Sequence, residues 1–115
     1  MPNITIRLQN SSGATMTLVS TSENHMVWNQ QPPNSLNNNA SSSNIQLAYH
    51  ENALPVDFTM NYSIPNQVTN FTASGYIEED GNLSWSGAAP PGYIVRAGTS
   101  TSSTPNFLFT FDVEG

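Results

Sequence analysis

Apolar and polar residues alternate along most of this chain, and the alternation has the period of a β-strand. Ile4, Ile6 and Leu8 fall on one side of an extended segment, with Thr5, Arg7 and Gln9 on the other, which predicts a strand over Ile4–Gln9. Thr15–Ser20 repeats the pattern with Met16 and Leu18 inward. The intervening Asn10-Ser11-Ser12-Gly13 run reads as a turn in which glycine can take a positive φ. Together the two segments predict an N-terminal hairpin. Met26-Val27-Trp28 predicts a short strand that stops before Gln31-Pro32-Pro33, since proline donates no ladder hydrogen bond. Asn34–Asn44 is polar throughout except for Leu36 and Ala40, and predicts a surface loop anchored by Leu36. Ile45–Tyr49 alternates again. Val56, Phe58, Met60 and Tyr62 form an inward face opposite Asp57, Thr59, Asn61 and Ser63, and a strand over Val68–Ala73 follows Pro65.

The sharpest local signal is Tyr76-Ile77-Glu78-Glu79-Asp80-Gly81-Asn82-Leu83-Ser84-Trp85. Asp-Gly between two alternating runs predicts a two-residue hairpin turn. That register sets Glu79 against Asn82, Glu78 against Leu83 and Tyr76 against Trp85. Pro90-Pro91-Gly92 breaks the chain, Tyr93–Ala97 predicts another strand, and Thr99–Thr104 reads as a Ser/Thr loop. In the last segment Phe107, Phe109, Phe111 and Val113 share one face and supply a large block of core. No window carries apolar residues at helical spacing over three turns. About eight to nine short strands without a helix predict a single all-β domain over residues 1–115, an antiparallel β-sandwich.

Composition narrows the partners. The chain has no lysine; Arg7 and Arg96 stand against eight carboxylates, for a net charge of −6. Nucleic acid is excluded, because phosphate neutralisation needs clustered Lys and Arg. Electrostatic capture by anionic membranes fails for the same reason. Asn, Ser and Thr make up more than a third of the chain. A surface rich in amides and hydroxyls suits neutral polar partners: glycans, lipid head groups or copies of itself. With no cysteine there is no disulfide, thiolate metal site or thiol nucleophile. The sequons at Asn3, Asn10, Asn39, Asn61, Asn70 and Asn82 follow from composition. Met1-Pro2-Asn3-Ile4-Thr5 lacks the charged and apolar regions of a signal peptide, so the expectation is a cytoplasmic protein or one secreted without a leader.

Catalytic chemistry finds little support. The titratable candidates are His25, His50, Glu23, Glu51, Asp57 and Asp112. His50 and Glu51 are adjacent, and neighbours on a strand point to opposite faces. No nucleophile elbow, metalloprotease helix motif or phosphate loop is present. Glu78-Glu79-Asp80-Gly81-Asn82 offers oxygens to calcium, but its spacing does not match the twelve-residue calcium loop, and it reads as a solvated turn. The expectation is therefore no enzyme, no metal and no cofactor.

The aromatics carry more information. Trp28 precedes Asn29, Gln30, Gln31 and two prolines, a rigid polar loop, and Tyr93 follows the second Pro-Pro segment. Either ring could stack on a sugar or seat at a lipid head group; the competing role for each is core packing. Trp85 leans to the core because the predicted register sets it against Tyr76. The amides of Asn34, Asn37, Asn38 and Asn39 could bond glycan hydroxyls, or simply solvate a loop. The candidate contact set is Trp28, Asn29, Tyr93, Trp85, His25 and Asn38.

An opening strand through Ile4, Ile6 and Leu8, the Asn10–Gly13 turn, a second strand through Leu18, and a short segment with His25 and Trp28 before Pro32-Pro33 together resemble a known group. These are the small cysteine-poor β-sandwich proteins of fungi and bacteria, the aegerolysin-like and related haemolysin-type sandwiches. The resemblance implies a β-sandwich that is acidic, leaderless and lipid-binding, in some members pore-forming with a larger partner. The chain has fewer tryptophans than that group and lacks its cysteine-bearing segment, so no lipid-contacting residue carries over.

The leading expectation is a recognition protein of the toxin or defence kind, anchored by Trp28 and Tyr93 at neutral lipid head groups. The alternatives are a lectin or carbohydrate-binding module, which would form a homo-oligomer for avidity, and a structural protein that packs against its own copies.

Overall fold

Every regular element but one is a strand: β1 (Asn3–Ser11), β2 (Met16–Asn24), β3 (Met26–Gln30), β4 (Ser35–Leu36), β5 (Ile45–Tyr49), β6 (Val56–Ser63), β7 (Phe71–Ile77), β8 (Leu83–Ala88), β9 (Ile94–Ser103) and β10 (Asn106–Glu114). The exception is a 3-10 turn at Glu51–Ala53. These come from a computed structural model that describes residues 2–103 and 106–115, without the side chains of 101–103. The strands form two five-stranded sheets. The first has the order β3-β5-β1-β10-β9 and the second β4-β2-β6-β7-β8. Among the described residues no helix is long and apolar enough to cross a membrane.

The inward faces of the two sheets meet. Ile4, Ile6 and Leu8 of β1, Phe109, Phe111 and Val113 of β10, and Val56, Phe58, Met60 and Tyr62 of β6 are all buried in one cluster. Alternation sets this directly, since each inward residue is followed by an outward polar one. The arrangement is all-β and sandwich-like, with ten strands instead of eight or nine.

Four further expectations are corrected. The first sheet is mixed, because β1 runs parallel to β10 from Ile4↔Phe107 to Ser11↔Glu114. A parallel pair needs a long crossover, and here nearly the whole chain lies between the two strands. Second, β1 and β2 do not form a hairpin. β1 pairs with β5 and β10, β2 with β4 and β6, so the Asn10–Gly13 segment arches from one sheet to the other. The arch lets the apolar faces of both strands look into the same core. Third, the polar tract 34–44 is not wholly loop: β4 pairs with Met16 and Thr17, and Ser41 bridges to Gln9. Leu36 is its buried anchor, as expected.

Fourth, the Asp80-Gly81 turn is one residue longer than predicted. Gly81 N–H donates to the Glu78 carbonyl at 2.9 Å, and Glu78 N–H to the Asn82 carbonyl at 2.9 Å. Gly81 has φ +87°, so this is a three-residue loop with a left-handed glycine. The register moves by one: Tyr76 stands opposite Ser84, and Trp85 opposite Gly75. Strand boundaries shift too. β7 begins at Phe71 and leaves Val68 exposed, and β9 continues through Ser103 into the predicted Ser/Thr loop, whose Thr104 lies outside the described residues. Threonine's branched side chain suits a strand, and Thr99 pairs with Phe109.

Candidate functional site

The outer face of the second sheet is built from the polar half of each alternating strand. Two rows of paired residues cross it: Asn24–Asp57–Tyr76–Ser84, and beside it Ser22–Thr59–Ser74–Ser86. Tyr76 is the one large ring in these rows. Small hydroxyl residues surround it, so it rises beside a low floor. The result is an open trough of about 400 Å³ lined by Asp57, Thr59, Ser74, Tyr76, Ser84 and Ser86, and also by the inward-facing row Phe58–Gly75–Trp85 between them. Tyr76 is 37% and Trp85 43% exposed, unusual for residues of this size.

The floor is neutral and partly self-bonded. Thr59 Oγ1 and Ser74 Oγ share a hydrogen bond at 3.2 Å. Farther along, Thr72 Oγ1 donates to Asn61 Oδ1 at 2.7 Å, and Asn61 Nδ2 donates to Ser20 Oγ at 3.1 Å. Asp57 is the one charge in the trough. It lies directly across from Tyr76, a spacing of about 5 Å between Cβ atoms. Its carboxylate has no hydrogen-bond partner among the described residues, so it is free to accept from a ligand hydroxyl.

The predicted contact residues are distributed differently. Trp28 is half-buried on β3, packs against the core, and donates its indole N–H to Glu23 Oε2 at 2.9 Å. Asn29 is the bulged residue beside it, exposed at the sheet edge. Tyr93 is half-buried, packed against the core, in the turn that leads to β9. Trp28 shares a row with Leu47 and Ile4, whereas Tyr93 lies beyond the row Ser11–Glu114–Ile94 at the far end of β1. Those rows are about 23 Å apart along the strand. Trp28 and Tyr93 therefore share no surface on which one ligand could bridge them.

His25 is exposed and occupies the single-residue corner between β2 and β3, where the chain passes from one sheet to the other. It holds φ +61°, with Nδ1 3.2 Å from the Ala53 carbonyl oxygen. Asn38 uses its side-chain oxygen to accept the Gly13 N–H at 2.9 Å, and Thr15 Oγ1 donates to Asn37 Oδ1 at 3.4 Å. The asparagine loop is thus tied to the β1–β2 arch. Trp85 is the member of the predicted set that borders the trough. Tyr76 was named in the sequence as a packing partner only. Its outward position follows from the alternation of β7, where Ala73, Gly75 and Ile77 face inward, and the one-residue register change sets small Ser84 opposite it in place of Trp85.

At the Glu78–Asn82 tip, Asp80 accepts from Asn82 N at 3.0 Å and from Asn82 Nδ2 at 2.9 Å. Among the described residues no three His, Asp or Glu side chains converge in a manner that could hold a metal. Two tyrosines titrate abnormally. Burial pushes the Tyr62 phenol well above its usual range, and burial, with the nearby Glu51 charge second, raises Tyr49. Neither lines the trough.

No protein-family model matches this chain, and no curated protein matches it at a significant level.

Proposed function

We propose that this protein is a non-enzymatic recognition module for neutral sugars, and that the Tyr76 trough is where it makes contact. The observation that carries the reading is the row Asp57–Tyr76–Ser84: an exposed ring, a free carboxylate beside it and hydroxyls around both. A sugar has an apolar face that stacks on an aromatic ring and a hydroxyl edge that seeks acceptors and donors. Stacked on Tyr76, its hydroxyls would reach Asp57 as an acceptor and Ser74 or Ser84 as either partner. Apart from Asp57 the lining is uncharged, so a ligand enters without the desolvation of paired charges. Anchoring at a bilayer through Trp28 and Tyr93 is less well supported, since the two rings sit at opposite ends and each packs against the core. One shallow site binds weakly, so useful avidity calls for several copies in one assembly.

The test is a glycan array run beside liposomes of neutral sphingolipids and phosphatidylcholine. Sugar binding that Tyr76→Ala removes and Tyr76→Phe retains, with thermal midpoints unchanged, supports the reading. Liposome binding without glycan hits would return the weight to the lipid head-group reading. Glycan binding untouched by Tyr76→Ala would reject the trough as its site.

A further inference from the structure

Both arginines lie on the opposite outer face, that of the first sheet, on either side of β10. Arg7 stands in the row Arg7–Thr110–Gly98, and Arg96 in the next row, Gln9–Asp112–Arg96. With their neighbours they line a trough of about 300 Å³. In a chain without lysine, all the arginine and lysine charge gathers at this one place.

Gly98 floors the trough, and packing does not explain it. At Gly75 an added Cβ would lie 2.3 Å from the Phe58 ring, and at Gly87 2.4 Å from Val95 Cγ1, so the core demands both glycines. At Gly98 the nearest atom to an added Cβ is Thr110 Oγ1 at 3.7 Å, an ordinary contact. Glycine weakens a strand interior and often marks a bulge, a bend or a close approach to the backbone. The β9–β10 register is regular through Gly98, which favours close approach. Any longer side chain at Gly98 would occupy the trough.

The two guanidiniums differ. Arg96 Nη1 is paired with Glu114. Arg7 donates through Nε to Asn44 Oδ1 at 3.0 Å, which fixes its plane, and its terminal nitrogens have no partner among the described residues. A guanidinium held by Nε with its other edge free suits a planar carboxylate. Asp112 bears on which anion. Its negative charge opposes every anion, a doubly charged sulfate or phosphate more than a single carboxylate. It already accepts from Ser11 Oγ at 3.4 Å and can accept from ligand hydroxyls, and the Thr110 hydroxyl also lines the trough. The net charge of −6 is felt weakly here, because salt screens distant charges within about 8 Å at physiological ionic strength.

We infer that this trough binds the carboxylate of a hydroxylated acid, of the kind carried by a uronate sugar, with Arg7 as the carboxylate-binding residue. The site is independent of the Tyr76 trough on the other sheet.

The experiment is an amide NMR titration of the full chain with galacturonate, using galactose and inorganic phosphate as comparison ligands. Galacturonate should shift the amides of Arg7, Gly98 and Thr110. Arg7→Ala should weaken binding about ten- to a hundredfold, and Arg7→Lys should recover part of it. Gly98→Leu should block the trough while leaving the rest of the spectrum folded. The inference is overturned if nothing shifts, if galactose shifts the same amides as strongly, if phosphate binds more tightly than galacturonate, or if the folded Gly98→Leu protein binds like the parent.

Discussion

Phe58 and Phe109 meet edge to face across the two sheets, ring centroids 5.3 Å apart and planes at 83°. The contact exists because Gly75 has no side chain. An added Cβ would lie 2.3 and 2.5 Å from two atoms of the Phe58 ring and 3.1 Å from Phe109 Cε1. Gly75→Ala should therefore destabilise the fold by about 1–3 kcal/mol, the usual penalty for overpacking a filled core. Gly98→Ala is the control: its Cβ meets nothing closer than 3.7 Å, and it should be neutral or stabilising by about 0.5–1 kcal/mol. Urea denaturation of the two variants measures the difference.

Asn10 is fully buried, and both ends of its amide are occupied. Nδ2 donates to the carbonyls of Ala14 at 2.8 Å and Leu36 at 2.7 Å, while Oδ1 accepts Ser12 N–H at 3.0 Å. It thus fastens the β1–β2 arch to β4. Asn10→Ala should cost about 2–4 kcal/mol, because buried carbonyls lose their donor. Asn10→Asp should be worse at neutral pH, since a carboxylate would face those two oxygens with no proton to give. Chemical denaturation of both variants at pH 7 gives the order. The same burial closes the Asn10 sequon to modification in the folded protein.

How much of this was legible in the sequence depends on range. Period-two alternation fixes which side of a strand is buried, so the inward faces Val56–Tyr62 and Phe107–Val113 could be read from local pattern alone. It does not name a strand's partner. Asn10-Ser11-Ser12-Gly13 serves a hairpin or an arch equally well, and the deciding bond runs from Asn10 to Leu36. The parallel pairing of β1 with β10 joins the two ends of the chain and leaves no local mark. At Gly81 the turn type is open between two loop lengths, and one residue of difference decides whether Trp85 or the small Ser84 stands opposite the outward Tyr76, and so whether a trough forms beside that ring. That Trp28 and Tyr93 stand at opposite ends follows only from the sheet order.

Trp28 offers a test of structure against binding. Its ring is half-buried on an edge strand, and its N–H is taken by Glu23. Trp28→Ala should cost about 2 kcal/mol, less than the 3–5 of a fully buried ring because part of this one already faces water. Trp28→Phe should lose less. Thermal unfolding reports the stability change, and glycan binding at 25 °C, well below the transition, should be unaffected. Loss of binding in a fully folded Trp28→Ala protein would move the contact site to β3.

High pH should destabilise the protein through Tyr62 and Tyr49. Tyr62 is buried and donates its hydroxyl to the Pro33 carbonyl at 2.7 Å. Burial raises its pKa above the usual value of about 10, and Tyr49 is raised by burial first and by Glu51 second. Below pH 10 both phenols are neutral in the folded and unfolded chain, and their contribution is complete. Above it the unfolded chain releases these protons while the folded one keeps them, so stability falls as pH rises. Tyrosinate absorbance should show a late fraction that appears together with unfolding. Tyr62→Phe should cost about 0.5–1.5 kcal/mol at pH 7 for the lost hydrogen bond, yet make the alkaline decline shallower. A Tyr62→Phe protein whose stability falls as steeply as the parent's above pH 10 would assign the alkaline sensitivity to another group.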